Sequence, residues 1–450
     1  MTDARFTKAE SPSAAFATTA LVAAALAAWA NSFAGEWADA LPDTLWFALD
    51  GGRVAIARGI GLALHVATAG VMFALLRGTL RLPHLQERFG GSAGWLAFAV
   101  SAIWMLHPLQ TAAVTDVTRR PELVAGLAVV VTLYAVLRGW RAVTVAACTL
   151  GMLAHELATG IPVLVLLYDR TFLTGGFRET LRARGGVYAL LAATWTLLAW
   201  RVGSGDFRDA AVPYGAPATP WEYLQVQCQA VVHYLRLALW PEPLVFDYGV
   251  MRPPEFVWVL PPMFFLLSVA AVSAVALWQV RARGFFGAWF FLLLIPTSSA
   301  WPVPGEPMAE SRMHLPLAAV VMLVVLAIYR IAERRTVAIC ALLALALGGA
   351  TVRRNLDYRD ALTLWSDTAE KRPDNARAHA RVAELQIEAG RAAEAIASGA
   401  EAVRLDPYSA DAHFALGRAL RQAGRGGPAR RHLEQAAKLA PERFGGGERE

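Results

Sequence analysis

The sequence predicts an all-α protein: a polytopic bundle of membrane helices followed by a short array of helical hairpins. Three observations carry this. The 450 residues are 56% hydrophobic and only 17% charged, too apolar for a soluble chain of this size. The apolar residues collect into eleven runs joined by short charged connections. After Thr351 the chain becomes charged, Ala-rich and periodic, with a step of 34 residues.

The apolar runs place helices at 13–31, 54–76, 94–107, 121–138, 141–154, 156–169, 187–203, 257–280, 284–297, 313–332 and 336–352. About eleven spans follow, although several runs fall short of the roughly 20 residues that a straight span needs. Arg5 and Lys8 precede the first run, which ends in a small-x-small Ala28-Trp29-Ala30. We read it as an uncleaved first helix, not as a removable leader. Trp221 to Trp240 carries Gln225, Gln227, Gln229, His233 and Arg236. These are too many polar groups for a lipid-facing span, so this segment is expected to lie at an interface.

Lys and Arg fix the orientation. Arg77, Arg81 and Arg88, then Arg138 and Arg141, Arg170 to Arg184, Arg281 and Arg283, and Arg330 to Arg335 fall in alternate connections. The N-terminus is then cytoplasmic, and eleven crossings put the tail outside. The Arg and Ala bias points to a bacterium, whose inner or plasma membrane would hold the chain and whose periplasm would hold the tail. The net charge of +6 is scattered and gives no reason to expect a nucleic acid. Cys148, Cys228 and Cys340 all sit in apolar runs, so neither a disulfide frame nor a metal site is expected.

In the tail, His379 and His413, Gly390 and Gly424, Arg391 and Arg425, Ala395 and Ala429, and Leu405 and Leu439 are each 34 apart, and Pro373, Pro407 and Pro441 repeat the step. This is the tetratricopeptide pattern. The predicted organisation is a membrane domain at 1–352, a linker or packing helix at 353–372, repeats at 373–442 and a frayed tail at 443–450.

The residues able to carry chemistry collect in the connections assigned to the outside. The first of these is acidic, with Glu36, Asp39 and Asp43; a carboxylate there can serve as general base for a hydroxyl. Asp39 and Glu36 are the catalytic candidates. His107, Arg119 and Arg120, then His155 and Glu156, Asp247 and Tyr248, and Glu310 with Arg312 complete the set. Arginine holds phosphate through charge-assisted, often bidentate hydrogen bonds. Each residue also has a plainer reading: a solvated acidic loop, arginines reaching headgroups, a capping histidine, or the local pairs Arg312–Glu310 and His155–Glu156.

Several stretches together resemble the membrane proteins with C-terminal tetratricopeptide repeats classed as protein O-mannosyltransferase-like glycosyltransferases of the GT-C type. His107-Pro108-Leu109 with Thr111, Val114, Arg119 and Glu122-Leu123 is similar to that family's His-Pro-x-His-Thr-Glu-Ala-Val…Gly-Arg-x-Glu/Asp-Leu stretch. His155-Glu156, Pro162 and Tyr168-Asp169 resemble its Ser-Lys-Glu…Pro…Tyr-Asp segment. Tyr234 to Leu244 and Asp247-Tyr248-Gly249 resemble its external turn. Pro296 to Ser299, Ala309-Glu310-Ser311-Arg312 and Leu315-Pro316 resemble its Pro-x-Ser-Asn…Ala-Glu-x-Arg-x-Tyr-Leu-Pro signature. Arg359 to Trp365 resembles its approach to the repeats.

The resemblance implies about eleven spans, an external site, a polyprenyl-phosphate sugar as donor, mannose among the candidate sugars, and Ser or Thr hydroxyls as acceptors. It maps the acidic catalytic position to Asp39, where the family's Asp-Asp pair is missing. Gln110, Ala112 and His155 stand where the family has His, Glu and Lys. It leaves a divalent metal unassigned. The alternative expectation is an inactive membrane anchor whose repeats bind a partner protein. A transporter is less favoured, because the polar residues gather at one face and not at mid-membrane.

Overall fold

A computed structural model of the chain describes residues 12–34, 54–204, 219–251, 255–298 and 306–444. Among these, every regular element is a helix. In order they are α1 (Ala14–Trp29), α2 (Val54–Leu80), α3 (Pro83–Phe89), α4 (Ala93–Met105), α5 (Thr111–Val114), α6 (Arg120–Arg138), α7 (Arg141–Ala154), α8 (Ile161–Tyr168), α9 (Phe177–Ser204) and α10 (Pro220–Leu239). There follow α11 (Phe256–Trp278), α12 (Ala282–Leu294), α13 (Pro316–Ala332), α14 (Thr336–Asp357), α15 (Ala361–Lys371), α16 (Ala376–Glu388), α17 (Ala392–Leu405), α18 (Ala410–Gln422), α19 (Gly426–Leu439) and α20 (Pro441–Phe444).

All eleven apolar runs are helical, but the number of clear membrane spans is smaller than expected. Among the described residues, six stretches are long and apolar enough to cross, or seven if the bent pair α4–α5 is one span. One of the six, Pro316–Asp357, runs through two helices. The shortfall has a simple cause. Helices α7 and α12 have 14 and 13 residues, roughly 20 Å at 1.5 Å per residue, against a hydrocarbon core of about 30 Å. Helix α9 begins at Phe177, ten residues before its apolar run, and kinks at Arg184. The run at 156–169 is composite: a 3₁₀ turn (Glu156–Gly160), then α8, then a π turn (Asp169–Thr174).

The bundle core is built on Trp29, Trp104, Tyr168 and Tyr234, all under 2% exposed. Close approach is set by small residues. A Cβ on Gly160 would lie 2.8 Å from the Leu292 carbonyl oxygen, so only glycine lets α12 pass there. Helix α11 is the opposite case. Val259 and Ala276 are its buried residues, while Phe264, Leu267, Val272 and Trp278 are exposed. An apolar helix with so little protein against it is placed to face lipid.

Helix α10 starts at a full capping box between Thr219 and Glu222. Two of its polar residues turn inward, while Arg236 stays exposed. Gln225 and Gln227 are buried, and the Gln227 amide donates to the Pro307 carbonyl at 2.6 Å. Gln227 thereby ties α10 to the segment around Pro307.

Helices α16 to α19 form two hairpins. Asn375 and Ser409, 34 residues apart, each cap a hairpin's first helix, accepting from the Ala378 and Ala412 N–H groups. At the crossing of α17 and α18 a Cβ on Gly399 would come within 3.0 Å of the Leu416 Cα. Helix α15 joins this array to the bundle. Phe246 packs edge-on against Tyr358 and Trp365, with ring centroids 6.0 and 5.3 Å away.

Candidate functional site

The polar residues converge at one end of the bundle because the chain breaks there repeatedly. After Met105 the axis turns by 54°, and two short turns follow before α6. Each break is capped from within. His107 Nδ1 accepts from the Leu109 N–H at 3.2 Å, and Asp116 accepts from the Thr118 N–H at 2.9 Å and from its hydroxyl at 2.7 Å. Pro108 and Pro121 start the following turns, where a missing N–H costs nothing.

At the start of α6 lies a compact charged cluster. Arg119 reaches Asp116 at 3.4 Å, Glu122 at 3.3 Å and Glu306 at 2.5 Å. The His155 Nε2 lies 3.9 Å from Glu122 and 3.6 Å from Glu156. Its Nδ1 accepts from the Leu157 N–H at 3.2 Å, so a neutral His155 carries its proton on Nε2, facing both carboxylates. Ser311 donates to Glu122 at 3.3 Å. The Arg119 side chain is 24% exposed, so a soluble or lipid-borne anion can reach it. Burial pushes the Asp116 carboxyl above its ordinary range, against the pull of Arg119 and the two Thr118 hydrogen bonds.

Beside this cluster is a second, drier one. Glu310 is 3% exposed and its Oε1 accepts from the Val245 N–H at 2.6 Å and the Tyr248 hydroxyl at 2.8 Å. The Tyr248 oxygen in turn lies 3.1 Å from His233 Nε2, the group left to donate to it. The Glu310 Oε2 is buried without a hydrogen-bond partner. Burial raises the Glu310 carboxyl above the usual range, outweighing Arg354, the Val245 N–H, Tyr248 and Lys371. Burial, then Arg236 and Arg372, bring His233 down to about 4, so it is neutral at pH 7.

The raised Glu310 carboxyl gives a test. Folding holds a proton that the unfolded chain releases above about 4.3, the ordinary Glu value. The stabilisation from this group is full below that value and fades as pH rises through the raised one. Glu310→Gln keeps the two accepted hydrogen bonds and cannot ionise. Thermal unfolding of both proteins from pH 4 to pH 8 should show the variant gaining on the parent as pH rises; parallel curves would remove the buried proton.

The structure brings some predicted residues together and assigns others to architecture. Arg119, His155, Glu156, Tyr248 and Glu310 lie in the two clusters. Asp39 and Glu36 fall outside the described residues. His107 is a cap with both nitrogens used, the second against the Ala238 carbonyl at 3.3 Å. Arg120 is buried, with Nε donating to the Val117 carbonyl at 2.9 Å. Arg312 spends its donors on neutral acceptors: the carbonyls of Thr297, Pro307 and Glu306 and the Tyr223 hydroxyl. Its work is to fold the segment around Pro307. Asp247 pairs with Arg377 at 2.5 Å and its carbonyl accepts from Asn375 at 2.9 Å, so it joins the repeats to the bundle.

Three carboxylates were missed as site residues. Asp116 and Glu122 stand three residues either side of Arg119, a spacing that joins neighbours on successive turns and was readable. Glu306 is 187 residues away and gave no signal. Among the described residues no group of three or more His, Cys, Asp or Glu is placed to hold a metal.

Residues 386–444 match the family model described as tetratricopeptide repeat. The C-terminal hairpins are tetratricopeptide repeats. Such domains generally mediate protein–protein contact, so a protein partner is consistent with this unit. No curated protein matches the chain. The match covers the tail alone, and the apolar helices make the remainder a membrane-protein candidate on length and composition.

Proposed function

We propose that this protein is a membrane glycosyltransferase, moving a sugar such as mannose from a polyprenyl phosphate to Ser or Thr hydroxyls of exported proteins. The observation that supports this most is the reachable Arg119, set among Glu122, His155 and Glu306 at the polar end of an apolar bundle. A carboxylate takes the acceptor hydroxyl proton, the oxygen bonds to the anomeric carbon, and the bond from that carbon to the phosphate oxygen breaks. Polyprenyl phosphate departs with the bonding pair. Asp39 is the sequence's candidate for the base.

Glu306 occupies the Arg119 guanidinium and is itself 43% exposed on its side chain. It stands where a phosphate would bind, and donor binding exchanges one anion for the other. Eleven crossings with a cytoplasmic N-terminus would put this end, and the repeats, on the extracytoplasmic face, where the repeats present acceptor proteins.

Two measurements test the reading. Mass spectrometry of exported proteins, with and without the gene, should show hexose on Ser or Thr only when the gene is present. Tyr408 is 82% exposed, so Tyr408→Cys in intact cells should react with a membrane-impermeant maleimide, whereas protection until the cells are opened would reverse the bundle. Unchanged glycans favour a second reading, a membrane-anchored scaffold. In that reading the ion pair between Asp247 and Arg377 would fasten the displayed repeats to the bundle.

A further inference from the structure

The opposite ends of the same helices carry a feature that sugar transfer does not use. The C-terminal half of α2, the start of α12, the end of α8 with its π turn, and the length of α13 enclose an open groove of about 650 Å³. Its walls are apolar, among them Met72, Leu76, Phe172, Phe285, Met322 and Leu326. The polar groups in its floor are spent on each other, with Tyr168 and Thr79 hydroxyls 2.6 Å apart. One rim carries His84, Arg88, Arg281, Arg283 and Arg330, and no acid lines the groove. All four arginines are exposed, and none forms an ion pair with Asp or Glu among the described residues.

From this we infer that the groove binds an anionic phospholipid, its phosphate headgroup against Arg281, Arg283, Arg330 and Arg88 and an acyl chain along α13. The dimensions agree. The lining runs from Ala318 to Arg330, twelve helical steps or roughly 18 Å, long enough for most of an extended acyl chain. The charge agrees as well, since four guanidinium groups without a facing carboxylate favour a net anion over a zwitterion, whose own cation they would repel. By the distribution of Lys and Arg this rim is cytoplasmic, where anionic headgroups collect. The site is distinct from the Arg119 cluster, and the inference stands whether or not the protein transfers sugar.

The full chain is reconstituted in vesicles of equimolar phosphatidylglycerol and phosphatidylcholine, released into detergent and examined by native mass spectrometry. The parent should retain one phosphatidylglycerol at least tenfold over phosphatidylcholine. Arg281→Gln with Arg330→Gln, both at exposed positions that folding does not need charged, should bring the ratio to near one. Met322→Trp fills the groove, leaves the rim intact and should lose the retained lipid; helix content by circular dichroism confirms that each variant is folded. Equal retention of the two lipids by the parent, or an undiminished preference in the double variant, would overturn the site.

Discussion

Arg354→Ala should cost about 3 kcal/mol and loosen the repeats from the membrane domain. The guanidinium is 5% exposed on its side chain and reaches Asp357 and Asp367, both at 2.8 Å. It also lies over the Tyr358 ring at 5.4 Å. Removing one member of a buried pair strands the others and costs about 3–5 kcal/mol. The lower end applies here because Lys371 still pairs with Asp367 at 2.7 Å and Asp357 is 29% exposed. Asp367 sits on α15, so the stranded charge lies at the joint between bundle and repeats. Limited proteolysis should cut near 358–375 in the variant and spare the parent. Adding Asp367→Ala should recover part of the loss, since neighbours in one network are not additive. Equal protease resistance and equal thermal stability would show that Phe246, Trp365 and Arg377 hold the joint alone.

That joint marks the limit of what the sequence could tell. Periodicity identified the tetratricopeptide character of the tail, which the family match at 386–444 shares, because a 34-residue step leaves its trace on every turn. It could not say what covers the first repeat. The answer is the 240–250 loop, where Lys371 donates to the Leu244 carbonyl at 3.0 Å and Arg377 holds Asp247. The loop read as part of the external site, since an Asp-Tyr pair in an external turn looks the same whether it faces substrate or protein. The apolar runs were similarly legible as helices and less so as spans, because a run's length in residues does not record where a capping histidine or a π turn divides it.

Charged residues showed the same split. Asp116, Arg119 and Glu122 follow helical spacing and declare a local cluster. Arg312 carried the motif most like a phosphate grip, yet three backbone carbonyls take it. A guanidinium with five donors can serve a backbone as readily as an anion, and only three-dimensional placement separates the two.

Arg119→Ala should lower sugar transfer by a hundredfold or more, about 2.7 kcal/mol of transition-state stabilisation. Of the predicted cations, Arg119 combines an exposed edge with carboxylate partners that a phosphate can replace. Arg119→Lys keeps the charge and loses the two-pronged geometry, so it should recover only part of the rate. Glu306→Ala should act in the other direction on donor binding, since the resident anion is gone: KM for the polyprenyl-phosphate sugar should fall while kcat changes less. The pair of results separates roles. A structural Arg119 would lose activity and thermal stability together in Arg119→Ala, and Glu306→Ala would then raise KM by releasing the segment around Pro307. A phosphate-binding Arg119 instead leaves the unfolding temperature of Arg119→Lys near that of the parent while transfer falls, which is the outcome the partly exposed guanidinium leads us to expect.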